Sequence, residues 1–131
     1  MNTIPDFHDG FFDGLWVSDE KRVHLFLRTV DKKPFTLVLR GVKLFNASNI
    51  RQGNIILDLA LLDAQQLTTA HIAEIYEFEG EQQEEKIKRF LASAQEELLN
   101  ALEMSTSYGA EFIALFRGAQ LVANHVCSEE Q

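Results

Sequence analysis

The residues best equipped for chemistry stand near the start of the chain, in "DFHDGFFDG" (6–14). Asp6, His8, Asp9 and Asp13 fall within eight residues, and an imidazole among carboxylates offers the nitrogen and oxygen donors that divalent metals take. The same letters carry a second meaning. Asp9-Gly10 and Asp13-Gly14 are turn formers, because a short polar side chain tolerates a left-handed backbone and glycine adopts it freely. Two expectations follow: a metal or small-molecule site at Asp6, His8 and Asp9 with Asp13 as a further weak ligand, or a polar turn at the entry to a first strand. The sequence favours the turn.

Other reaction chemistry finds little support. An adjacent His-Asp resembles the dipeptide of metal-dependent phosphohydrolases, whose helices add further His and Asp ligands. Here His24, His71 and His125 stand alone, without HxH or HxxxH spacing, and that resemblance fails. No serine lies in GxSxG. The single cysteine, Cys127, precedes "SEEQ", where negative charge disfavours a thiolate. Neither GxxxxGK[ST] nor GxGxxG is present, so nucleotide binding has no motif. The reading leans away from an enzyme, and no cofactor is expected.

The elements that must position these residues follow from periodicity. "GLWV" (14–17) reads as a strand. In "RVHLFLRTV" (22–30), Val23, Leu25 and Leu27 point one way while His24, Phe26 and Arg28 point the other. "FTLVLRGV" (35–42) alternates again, with Phe35, Leu37 and Leu39 on the apolar side, and the short turns favour an antiparallel meander. The Asn-rich 45–54 reads as a loop and "NIILDLALLD" as a strand. Asp63 and Gln66 have capping-box spacing, yet Ile72, Tyr76 and Phe78 favour a strand over 70–78. Ile87, Phe90, Leu91, Ala94, Leu98, Ala101 and Leu102 recur at spacings of three and four, which predicts one long helix over 81–104. "EFIALFRGAQLVANHV" reads as two strands about Arg117-Gly118. The expected fold is a single α+β domain: a twisted antiparallel sheet of six or seven strands packed on one long helix.

The polar side of that sheet is the second candidate site. His24, Arg28 and Arg40 share the face turned from the core, with Asp58 beside them and Trp16 and Tyr108 at the rim. Trp and Tyr are the residue types that most often anchor protein interfaces. The binding candidates are therefore His8, Asp9, Trp16, His24, Arg28, Arg40, Asp58 and Tyr108.

Charge narrows the partners. The chain carries 12 Lys/Arg against 20 Asp/Glu, a net of −8. Residues 1–60 hold 8 against 7, whereas residues 61–131 hold 4 against 13. Nucleic acid and anionic membranes both require the opposite balance. A basic protein would be attracted and its encounter steered. No basic start with an apolar run marks a signal peptide, and no run of 18 apolar residues marks a membrane helix, so a cytoplasmic location is expected.

Four pieces in order, "FHDG", "LRGVKLF", "QGNIILDL" and "TSYGAEFIALF", resemble a pattern in small bacterial proteins that open with His-Asp-small and close with an "SYGAE"-like strand. The matching positions are His8, Asp9, Asn54, Asp58, Tyr108 and Gly109. The resemblance implies an immunity or accessory protein, so the expected function is non-enzymatic protein binding, immunity-like or adaptor, with self-association as a further possibility.

Overall fold

The structure is a computed structural model that describes residues 6–18, 21–48, 54–76, 84–107 and 111–124. These residues form eight strands: β1 (Phe11–Ser18), β2 (Arg22–Arg28), β3 (Pro34–Arg40), β4 (Leu44–Ser48), β5 (Asn54–Leu62), β6 (Asn100–Thr106), β7 (Glu111–Phe116) and β8 (Gly118–Ala123). Two short helices, α1 (Thr69–Tyr76) and α2 (Glu84–Glu96), lie between β5 and β6. All pairings are antiparallel, in the order β4-β7-β6-β5-β1-β2-β3-β8.

This order corrects the expected one-helix architecture. The predicted helix 81–104 stops at Glu96, and its apolar continuation becomes β6. Of residues 70–78, expected as strand, 70–76 are helix and 77–78 lie outside the described residues; of 45–54, expected as loop, 45–48 are strand. The Asp63–Gln66 capping box does form, and it opens a 3₁₀ turn over Ala64–Gln66 that leads into α1.

The sheet curls on itself because two ribbons bend. β3 and β4 are successive halves of one ribbon, and β7 and β8 of another. β3 pairs with β8 and β4 with β7, so the ribbons run side by side around a corner. The bonds Arg117 N–H to Arg40 O and Lys43 N–H to Leu115 O, each 2.9 Å, carry the ladder through the bend. Gly41 makes the corner at φ 61°, where a Cβ would sit 3.0 Å from three carbons of the Arg117 side chain.

Alternation then sorts the side chains. Phe12, Leu25, Leu27, Leu37, Leu39, Ile56, Leu102, Phe112 and Phe116 fill the interior and are essentially buried. Each contributes about 1.5–3 kcal/mol of gross burial energy, most of which chain entropy offsets. A second apolar layer lies outside β6 and β7, where Ala101, Ile113 and Leu115 meet Ile72 and Ile75 of α1 and Ala94 of α2. β7 is thus covered on both faces, and its letters "FIALF" form a continuous apolar run for that reason. No helix among the described residues is long and apolar enough to cross a membrane.

Candidate functional site

The His-Asp pair occupies a tight turn. Gly10 N–H donates to Phe7 O at 2.8 Å, with His8 and Asp9 between them and Asp9 at φ 62°. Asp6 Oδ1 accepts the His8 amide at 2.9 Å, which steadies the turn. His8 Nδ1–H donates to the carbonyl of Leu57 at 2.6 Å, and Asp9 N–H donates to Ile56 O at 2.9 Å. Together these bonds dock the turn on the edge of β5. The Leu57 carbonyl holds the His8 imidazole above its ordinary pKa, and Asp9, Asp6 and Asp58 add to the effect.

The proposed ligands do not converge. Asp13 turns to Arg28, which binds it through Nε at 2.6 Å and Nη2 at 2.8 Å. The Arg28 guanidinium also lies 4.5 Å from the ring centre of Phe11. Among the described residues no three His, Cys, Asp or Glu side chains are arranged to hold a metal.

The outer face of β1-β2-β3-β8 is a different kind of surface. Cross-strand register sets Trp16, His24, Val38 and Gln120 in one row, and Gly14, Phe26, Thr36 and Val122 in the next. Trp16 packs against His24 with ring centres 4.7 Å apart and planes tilted by 35°, yet it remains 56% exposed. Arg40 belongs to this face one row beyond Trp16, and Arg28 lies at the other end of β2. His24, Arg28, Arg40 and Trp16 are therefore brought to one face, whereas His8, Asp9 and Asp58 stand together elsewhere. Tyr108 lies outside the described residues.

Asp58 takes part in an arrangement that the sequence reading missed. Together with Glu74, Glu103 and Glu111 it lines a cleft of about 180 Å³ between β5, β6, β7 and α1. Burial pushes the Glu74 carboxyl above its ordinary pKa, and the charges of Glu103 and Glu111 push it further. His71 bonds Glu103 across the cleft wall at 2.8 Å. With residues 98–104 read as helix and 70–78 as strand, nothing placed these groups together.

No protein-family model matches the chain, and no curated protein matches it.

Proposed function

We propose that this chain is a non-enzymatic protein-binding domain, of immunity-like or adaptor type, whose contact face is the outer side of β1-β2-β3-β8. The supporting observation is the contrast between the two outer faces. Helices cover the β6-β7 side, while the β1-β2 side leaves Trp16 and Val122 exposed, at 56% and 40%, beside His24 and Phe26. An exposed tryptophan packed against a neighbouring ring has fewer conformations to lose, so a partner meets a large amphipathic surface at reduced entropic cost. The acidic second half, which sets Glu74, Glu103 and Glu111 beside Asp58 in one cleft, steers a basic partner at long range.

Capture from cytosol with the tagged chain, at low and high salt, tests this reading. Wild type retains a stoichiometric protein, and Trp16→Ala loses it without a change in melting temperature. Glu84→Gln with Glu85→Gln reduces its salt sensitivity. If Trp16→Ala captures the same protein as fully as wild type, the contact face is wrong. If wild type captures nothing at either salt, the binding function falls.

A further inference from the structure

The sheet order ends at β8, which pairs with β3 on one side and with no other strand among the described residues. The ladder to β3 fixes which backbone groups face the open side. Asn124 N–H donates to Pro34 O at 3.0 Å. Bonded pairs alternate along an antiparallel ladder, so Val122 and Gln120 also turn their N–H and C=O toward β3. Ala119, Leu121 and Ala123 turn theirs outward, and no other backbone group among the described residues bonds them.

Edge strands are ordinarily guarded against pairing by a charge, a proline or a bulge. The strand "GAQLVA" (118–123) carries none of the three. At the opposite edge β4 is shorter and its Leu44–Ala47 are half-buried, whereas Gln120, Val122 and Ala123 of β8 are exposed.

Two observations select the occupant. The first is symmetry. Laid antiparallel about Leu121, a second β8 sets Leu121 against its own counterpart and Ala119 against Ala123 on either side. Each of these pairs exchanges both of its hydrogen bonds, so every outward group is satisfied at once. The second is charge. Molecules of net charge −8 repel one another, and two copies meet most easily where neither presents a carboxylate. β3 and β8 together hold Arg40 and no Asp or Glu.

We infer that β8 is a self-association edge, through which two copies of the chain join by antiparallel β8-β8 pairing across a two-fold axis at Leu121. Gln120 then stands opposite Val122 of the second copy on the outer face, and the two sheets run on as one. This contact is separate from the outer-face contact with a partner protein, because Trp16 of β1 lies beyond β3 and β2.

Sedimentation equilibrium and amide exchange of the full chain test the inference together. The expected result is a monomer–dimer equilibrium. The amides of Gln120 and Val122 are protected at every concentration, and those of Ala119, Leu121 and Ala123 only as the dimer fills. Gln120→Lys with Val122→Lys sets like charges opposite each other at exposed positions and weakens association about tenfold. Ala123→Pro removes an outward N–H, keeps the ladder to β3 and weakens association likewise. Trp16→Ala leaves the dimer unchanged; its loss there would place the contact on the outer face instead and overturn the inference. A chain that stays monomeric at millimolar concentration also overturns it. So does a dimer in which Ala119, Leu121 and Ala123 exchange freely, or one that both β8 variants leave intact.

Discussion

The imidazole of His71 ties the start of α1 to β6: Nε2 lies 2.8 Å from Glu103 Oε1, and Nδ1 lies 3.0 Å from the amide nitrogen of Thr68. Because Nδ1 accepts a backbone N–H, the ring proton of the neutral form is on Nε2 and is donated to the carboxylate. His71 therefore takes the place that Glu or Gln fills in a capping box, three residues after Thr68, whose Oγ1 accepts the His71 amide at 3.4 Å. His71→Ala is expected to cost about 1 kcal/mol, the usual loss for a helix cap. His71→Gln restores most of it, since an amide oxygen can accept the same N–H. Urea denaturation of both variants decides, and equal losses would argue against the cap.

Gly10 explains why the first turn needs its glycine. A Cβ there would lie 2.3 Å from the Arg28 carbonyl oxygen and 2.9 Å from that of Phe7. Both obstacles are backbone and cannot swing aside. Gly10→Ala is expected to destabilise by about 1–3 kcal/mol or more, as overpacking does. A melting temperature within a degree of wild type would show that the turn is looser than described.

His8 offers a direct electrostatic check. Its imidazole is held above the ordinary value by the Leu57 carbonyl and then by Asp9. The sign is that of a raised histidine: its stabilising contribution is complete below about pH 6.5 and is lost as pH rises through the higher folded value. Proton titration of the ring by NMR should give a midpoint above 6.5, and Asp9→Asn should lower it. A midpoint at or below that of a free histidine contradicts the docked turn.

Glu97 works in the opposite sense. The bond from Lys43 lowers its pKa most, with Ser93 and Arg117 assisting. A lowered carboxyl contributes stability that is present above the unfolded value, about 4.3, and disappears as pH falls through the folded one. Melting curves of wild type and Glu97→Gln should therefore differ at neutral pH and converge in acid. A constant gap across pH would place the effect of the substitution outside this ion pair.

Local signals made part of this fold legible. The β1-β2-β3 meander depends on alternation and short turns, so Val23, Leu25, Leu27, Leu37 and Leu39 announce the interior and His24 and Arg28 the exterior. The end of α2 was hidden because no glycine marks it. Leu98 itself takes the left-handed position at φ 58°, and Leu99 N–H returns to Ala94 O at 2.9 Å in a Schellman-type closure. The apolar spacing runs on unbroken through that point, so strand residues 100–102 pass for a further helical turn. β4 was hidden for another reason: its partner β7 lies more than sixty residues away, and Asn46 gives it the composition of a loop. The acidic cleft depends on β6 being strand and on Glu74 lying in helix α1, and no local pattern could reveal it.

The bent ribbon β7-β8 bears on how the molecule comes into being. β1, β2 and β3 can pair as soon as they leave the ribosome, but β3 also needs β8, and β4 needs β7. Both partners are synthesised after everything else in the shell, so the apolar lining of the first half stays open to solvent until translation has passed residue 123. Closing contacts across such sequence separations is slow relative to helix formation. During that interval the nascent chain presents unpaired edges and an uncovered core, the kind of surface on which aggregation starts.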